Sequence, residues 1–410
     1  MNKFITPLKN FFINTPSYRT HHKYVLIIIL MLSIVGQGAS DLYLPSLPAI
    51  THALNSPKQI IQLTIAVYLL GFSLSQLIYG PLSDKIGRRK VILIGLVICT
   101  IGSIICAFAN SAIILIIGRF IQGAGIGGSV ALTRAMMRDV FRGNRLSRVG
   151  SQIGTISSFT LAMAPTLGGY LQSWFGWRAS FIFLLIYCGT AWIIVWRLLP
   201  ETNKSFNPIA TQLRTLSVNY FLLLSNRQFM GSVLCSSFAL SGVIAYATAS
   251  PFLFQVTLNF SPIAYGCLAV FIAAGLSIGA FLNTKLVMRF GMRMMLLIGG
   301  NLMVFAGILM ASFFMLGHVN VYVILIPVIL FIVGAGFIYS NSFAIAFTPF
   351  AHMAGVAGAL YGAIQVLVAA LTSGLMSMLH EHNQLPLSII FLFLGALTMW
   401  MLDFVIKWDK

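Results

Sequence analysis

The chain has 410 residues, of which 59% are hydrophobic and only 8% are charged. Soluble domains carry roughly 25% charged residues, so this composition excludes an ordinary soluble fold and indicates a protein that lies in lipid. The formal net charge is +18, which comes from 25 lysines and arginines against 7 acids.

The basic residues follow the topology of the chain. Apart from Lys58, Arg119 and Arg178, they lie in the N-terminal segment, in alternate loops between apolar runs, or in the C-terminal tail. Lys and Arg concentrate on the cytoplasmic side of helical membrane proteins. The charge therefore encodes orientation, and we expect a lipid bilayer around the protein and no nucleic-acid partner.

Apolar runs long enough to cross a bilayer as helices recur along the whole sequence. Their centres lie near residues 34, 70, 100, 123, 160, 189, 240, 272, 305, 332, 367 and 397. We therefore predict an all-α membrane protein with twelve transmembrane helices, whose termini lie on the same side. The basic segments 1–23, 85–90, 134–148, 197–227 and 285–293 share that side, which the charge pattern identifies as cytoplasmic.

The first apolar run contains an acid, Asp41, toward its outer end. An ionisable residue at helix depth is costly in a membrane and is a functional candidate by default. Ser33, Gln37 and Asp41 recur every four residues, so they share one helical face that we expect to line a wet cavity. Asp41 can there take up a proton on one side and release it on the other. The alternative is a solvated acid at the helix mouth.

A basic turn joins the second and third runs, with the sequence Gly80-Pro-Leu-Ser-Asp-Lys-Ile-Gly-Arg-Arg-Lys90. Gly87 permits a tight turn. Asp84 can pair with Arg88, with Arg89 or with a helix end, and such contacts predict a latch on the cytoplasmic side.

The same turn recurs 204 residues later, between the eighth and ninth runs, as Thr284-Lys-Leu-Val-Met-Arg-Phe-Gly-Met-Arg-Met294. Met288 stands where the first copy has Asp84, so the latch is asymmetric. A six-plus-six repeat places a pathway between the halves near the middle of the membrane.

Two further runs carry residues that a lipid-facing helix does not need. Arg119 lies inside the fourth run, one turn before Gln122. It needs a partner or water, either Asp41 or the backbone carbonyls of a neighbouring helix, and a purely structural role is an alternative. In the fifth run, Pro165 bends the helix and the pair Gly168-Gly169 permits close contact, which predicts a hinge or seal. Small-residue packing alone also explains this stretch.

A long polar interruption divides the chain into halves. We predict a cytoplasmic N-terminal segment, a six-helix bundle, a cytoplasmic linker, a second six-helix bundle and a cytoplasmic tail, at residues 1–23, 24–199, 200–226, 227–406 and 407–410. Polar and aromatic residues of these helices are candidates for the wall of a substrate cavity: Gln37, Tyr43, Tyr68, Gln122, Tyr246, Phe252, Tyr339, Asn341, Tyr361 and Gln365.

The sequence contains no motif that indicates catalysis. A Walker loop, an HExxH pair and a nucleophile elbow are all absent. The five cysteines lie in apolar runs without a CxxC spacing, so we expect no metal site. Without a nucleotide site or another cofactor, transport is expected to be driven by the proton gradient.

Together these motifs resemble the major facilitator superfamily. The turn from Gly80 to Lys90 is similar to its signature loop, Arg119 to Gly125 to its fourth-helix motif, and Ala164 to Gly169 to the fifth-helix motif of its twelve-helix drug:proton antiporters. Residues 40–48, 62–84 and 133–141 resemble the bicyclomycin-resistance (Bcr/CflA) subfamily. The likeness is strong over roughly residues 35–185.

The resemblance implies an inner-membrane antiporter that exports drug-like small molecules in exchange for protons. It assigns proton coupling to Asp41 and Arg119, which match the first-helix acid and the fourth-helix arginine. It further assigns a gating loop and an antiporter motif: Gly80, Asp84, Gly87, Arg88 and Arg89, then Pro165, Gly168 and Gly169.

Other readings remain on the same fold. The main alternative is a dedicated proton-coupled exporter of one metabolite, such as an amino acid or a siderophore. The fifth-helix Pro-Gly-Gly stretch disfavours an importer, and a channel or receptor is a more distant alternative. We expect the protein to work as a monomer.

Overall fold

The computed structural model describes residues 16–203, 206–208, 211–379 and 383–406. Most of the predicted N-terminal segment and the whole of the predicted tail lie outside these residues. Within them, every regular element is a helix, as the apolar runs predict.

The first half contains six long helices. They are α1 (Pro16–Asp41), α2 (Lys58–Ile86), α3 (Arg88–Ala107), α4 (Ala112–Val140), α5 (Asn144–Phe175) and α6 (Arg178–Leu198). α1 begins earlier than the predicted boundary at residue 24, and a short helix, Leu47–Ala53, follows it before α2.

The second half repeats this order after an extra helix in the linker. The elements are α7 (Leu213–Ser225), α8 (Arg227–Phe252), α9 (Pro262–Met315), α10 (Val321–Phe347), α11 (Ala354–Met378) and α12 (Leu385–Ile406). α7 lies within the predicted linker. We call the side that holds α7 the linker side, and the opposite side the far side.

Ten helices of the described residues are long and apolar enough to cross a membrane. One of them, α9, is 54 residues long and bends at Gly291, so it forms two crossing segments. α5 is less apolar but has 32 residues, about 48 Å of helix. With α5 and the second segment of α9 included, the structure has the twelve predicted crossings.

Each half contains a copy of the same turn, and the two copies have similar backbone angles. Gly87 has φ 103° and ψ 150°, and Gly291 has φ 76° and ψ 162°. Residues that carry a side chain rarely adopt a positive φ, so glycine is required at both positions. The offset of 204 residues therefore joins two structurally equivalent turns.

The halves meet along two pairs of helices, α2 with α11 and α5 with α9. Hydrogen bonds cross between them on the far side: Gln62 Nε2 donates to the Thr248 carbonyl at 3.0 Å, Gln255 Nε2 to the Pro45 carbonyl at 3.0 Å, and Thr166 Oγ1 to the Gly266 carbonyl at 3.1 Å. These contacts close the space between the halves on that side.

Candidate functional site

A central cavity of about 350 Å³ lies between the two halves. α1 contributes Ser33, Gln37 and Asp41, the predicted polar stripe, and all three line the cavity. The rest of the wall is largely apolar, with residues from both halves such as Leu69, Phe72, Leu240, Ile244 and Val366. An apolar pocket with a few polar groups is typical of a small-molecule site.

Asp41 is the last residue of α1, and its side chain is 8% exposed. Its carboxylate accepts a hydrogen bond from the Ser40 hydroxyl. No ion pair to Asp41 is present among the described residues. A carboxyl group in this position is therefore available to exchange a proton with the cavity.

Arg119 is fully buried against the other side of α1. Its guanidinium lies between two aromatic rings, 4.0 Å from the centroid of Tyr43 and 4.1 Å from that of Tyr68. Nη1 donates to the Ala39 carbonyl at 3.1 Å and to the Gln122 side chain. Of the two partners left open by the sequence, the structure has the backbone carbonyl of a neighbouring helix and not an ion pair with Asp41.

The cluster around Arg119 leaves donors without partners. Nε and Nη2 of Arg119 and the Tyr68 hydroxyl are buried without a hydrogen-bond partner. Gln122 Nε2 donates to Ser103 Oγ at 2.8 Å, which ties the cluster to α3. The faces of the two aromatic rings stabilise this cation, which lies next to α1 two residues from Asp41.

Of the predicted cavity residues, three line the central cavity and three surround Arg119. Gln37, Tyr246 and Gln365 line the central cavity. Tyr43, Tyr68 and Gln122 instead surround Arg119.

The remaining candidates also lie outside the central cavity in this conformation. Asn341 donates to Asn283 Oδ1 at 2.7 Å, Tyr361 packs on Phe343, and Tyr339 and Phe252 pack in the core. Abundant aromatic residues do not reveal which face of a helix points inward, so composition could not separate wall from core. Their contact with substrate stays a prediction.

The Pro165 stretch of α5 forms the contact that brings three helices together on the far side. A Cβ at Gly168 would overlap the Leu42 carbonyl, directly after Asp41, and one at Gly169 would overlap the Pro262 carbonyl of α9. Pro165 itself lines the central cavity. The position is that of a seal between the halves; its function in gating stays a prediction.

The gating loop is held by an ionic cluster within the first half. Arg88 pairs with Asp84 and, through Nε, with Asp139 Oδ2 at 3.2 Å. Arg89 donates to the Trp196 carbonyl. In this conformation the contacts therefore join α2, α3, α4 and α6, and do not cross to the second half.

Gly80 packs against the second half, since a Cβ at this position would lie 3.5 Å from the Cβ of Ala359 in α11. Glu201, just after α6, accepts from the backbone N–H groups of Arg88 at 2.9 Å and Arg89 at 3.2 Å. A carboxylate at the start of a helix is favoured by the helix dipole. Glu201 thus fixes the start of the linker to the loop, a contact that the sequence analysis missed because the two segments are distant in the chain.

Arg134 is a further residue that sequence reasoning missed. The segment 134–148 was expected to be a loop, but α4 continues to Val140 and carries Arg134 inside the helix. Arg134 is therefore a residue of α4 and not of a loop. The absence of Gly or Pro between Ser129 and Val140 is the signal that could have shown this.

An acid in a closed-ended cavity between two repeated six-helix bundles defines a membrane transporter. The sequence profile of the Major Facilitator Superfamily matches residues 26–373. The chain belongs to the Major Facilitator Superfamily, as the motifs predict.

The alignments to two similar proteins cover nearly the whole chain. Multidrug resistance protein D of Escherichia coli K12 is 30% identical over 379 residues, which cover 92% of this chain and 95% of that protein. The bicyclomycin resistance protein homolog of Haemophilus influenzae is 27% identical over 367 residues, with 89% and 92% covered. The predicted resemblance to the bicyclomycin-resistance group is confirmed.

A solved structure has the same fold. The xylose transporter XylE from E. coli, in a partially occluded inward open conformation, superposes with a TM-score of 0.72 at 15% identity. The match covers 94% of this chain and 99% of that one. This likeness establishes the architecture of two six-helix bundles.

Proposed function

We propose that the protein exports drug-like small molecules across the bacterial inner membrane in exchange for protons. The observation that carries this proposal is the position of Asp41, a buried acid in the wall of the central cavity between the halves. The names of the relatives support drug efflux over the export of a single metabolite.

In the proposed cycle, substrate enters from the linker side because contacts between the halves close the far side. Asp41 gives up its proton as substrate occupies the cavity. The halves then rock about the α2–α11 and α5–α9 contacts, and a proton from the far side returns to Asp41 as the substrate leaves. No metal or cofactor takes part, since the proton gradient supplies the free energy, about 2.3 kcal/mol per charge for each 100 mV.

The orientation and state of assembly belong to the same proposal. The basic residues of the linker side, including Lys85, Arg88 and Arg89, support a cytoplasmic position for that side and for both termini under the positive-inside rule. Each protomer contains a complete cavity with its own Asp41, so a monomer is sufficient for transport.

Inside-out vesicles test the proposal. With a proton gradient, vesicles that hold the protein are expected to accumulate radiolabelled chloramphenicol or bicyclomycin, both uncharged, and a protonophore is expected to stop this. Asp41→Asn is expected to reduce accumulation to that of vesicles without the protein. Asp403→Asn, which removes an exposed acid of α12, is the matched control and should transport normally. Accumulation that survives the protonophore or Asp41→Asn would contradict the proposal.

A further inference from the structure

Arg134 lies where two cavities between the halves adjoin. It lines the central cavity that holds Asp41 and also a second cavity, of about 420 Å³, which opens among residues of the linker side such as Arg88, Arg138 and Phe347. The Arg134 side chain is exposed to this space. A molecule that reaches Asp41 from the linker side therefore passes Arg134.

The charge of Arg134 is not neutralised by the protein. Among the described residues no carboxylate forms an ion pair with it, and the titratable groups that act on it are Tyr361 and Arg138, neither of them an anion at pH 7. The nearby acids Asp84 and Asp139 act on Arg138 and Arg88 instead. Because no acid of the described residues pairs with it, the guanidinium faces the space between the halves, where water or the anionic group of a bound molecule can meet it.

The two charged residues of the central cavity are separated along the bundle. Gly36 of α1 packs against Val130 of α4. From that level, α1 continues five residues toward the far side to Asp41, and α4 continues four residues toward the linker side to Arg134. At 1.5 Å per residue the two lie roughly 13 Å apart along the helix axes. The wall between them is mostly apolar.

We propose that the site prefers amphipathic organic acids, whose anionic group pairs with Arg134 while the apolar body extends toward Asp41. This inference rests on the proposed export function and names the substrate class of the same cavity. A guanidinium forms bidentate hydrogen bonds with carboxylates and sulfonates, and the same charge repels cationic compounds. Uncharged compounds remain substrates because the apolar wall binds them.

Three ligands with one apolar body test the preference: pyrenebutyrate, pyrenebutanol and pyrenebutylammonium. Binding to the full-length protein is measured by pyrene fluorescence in a neutral detergent without anionic lipid. We expect pyrenebutyrate to bind about tenfold more tightly than pyrenebutylammonium, the ratio for one charge-assisted hydrogen bond, with pyrenebutanol in between.

Substitutions assign the preference to one side chain. Arg134→Gln is expected to weaken pyrenebutyrate binding about tenfold and to leave pyrenebutanol within about threefold, which also shows that the variant is folded. Arg134→Lys keeps the charge and should retain most of the preference. Arg142→Gln, which removes an exposed arginine just after α4, should behave as wild type.

The outcomes separate this inference from the export function. A preference that persists in Arg134→Gln, or a wild-type protein that favours pyrenebutylammonium, overturns the inference while leaving gradient-driven export of chloramphenicol untouched. A preference that disappears when anionic lipid is added to the detergent shows that Arg134 holds a lipid headgroup, which also overturns it. Loss of chloramphenicol export in the wild type would instead contradict the export function itself.

Discussion

The two copies of the linker-side turn have the same backbone conformation but different side chains at the equivalent positions. Gly87 and Gly291 both adopt positive φ. In the first copy Asp84 and Arg88 form an ion pair; at the equivalent positions of the second copy, Met288 and Met292 are 90% and 42% exposed. Both copies of the turn therefore have the glycine that their backbone requires, and only the first has the ion pair, which makes the pair a candidate for the proposed latch.

The same contrast extends to the interior of the halves. The first half buries a charged centre, Arg119 between Tyr43 and Tyr68. The second half has a neutral pair, Asn283 and Asn341, that joins α9 to α10. This difference agrees with the proposal that the first half couples proton movement to transport.

The largest effect is expected at the charged centre. Arg119→Met keeps the length of the side chain but removes the cation that binds the Ala39 carbonyl of α1, two residues from Asp41, so gradient-driven export should be lost. Stability should fall by about 1–3 kcal/mol, because the Ala39 carbonyl and Gln122 lose their donor. Arg119→Lys should recover part of the export, which is measured in inside-out vesicles beside the thermal stability of each variant.

The neutral pair gives the matching substitution in the second half. Asn283→Leu removes the acceptor of the Asn341 side chain and is expected to lower stability by about 1–3 kcal/mol while transport continues. Export lost equally in both variants would mean that the two centres are alike and that Arg119 is structural.

The next effect concerns the seal on the far side. Gly168→Ala places a methyl group on the Leu42 carbonyl, and such overpacking costs about 1–3 kcal/mol. The far side should close less well and export should fall about tenfold. Gly189→Ala, at a helical glycine with open space around it, is the control. If both substitutions reduce transport equally, the loss comes from helix backbone effects and not from the seal.

A smaller effect is expected at the ionic cluster. Asp84→Asn removes one partner of Arg88 and leaves the other, Asp139. Partly exposed ion pairs contribute about 1 kcal/mol or less, so export should fall no more than about fivefold. Initial rates in vesicles measure this, and complete loss of transport would show that the cluster does more than bias one conformation.

The smallest effect comes from building the missing pair into the second turn. The double substitution Met288→Asp with Met292→Arg creates an exposed pair across the turn at Gly291, and such pairs contribute about 0.2–1 kcal/mol. Export should stay within about twofold of wild type. A change as large as that of Asp84→Asn would show that the second turn also controls the transition.

The helices and the acidic stripe could be predicted because both depend on local periodicity. The length and composition of each apolar run are enough to predict a membrane helix. The spacing of Ser33, Gln37 and Asp41 places them on one helical face, whatever packs against that face. The Arg119 partner could not be chosen, because an ion pair and a backbone carbonyl are equally consistent with one arginine in a span.

Contacts between segments that are distant in the chain could not be predicted from the sequence. Glu201 meets the turn after Gly87 only because α6 ends beside α3. Arg134 was placed in a loop because a charged residue ends an apolar run, although the helix itself continues for six residues to Val140. The helix α7 was missed for a similar reason, since a polar linker gives no apolar period of membrane length.

The release of protons on substrate binding tests the coupling function of Asp41 most directly. Detergent-solubilised protein in a weakly buffered solution with a pH indicator is mixed with chloramphenicol, so that no membrane gradient is involved. Wild-type protein and Asp403→Asn are expected to release protons as the compound binds, and Asp41→Asn is expected to bind it and release none. Equal proton release from Asp41→Asn and wild type would contradict the account.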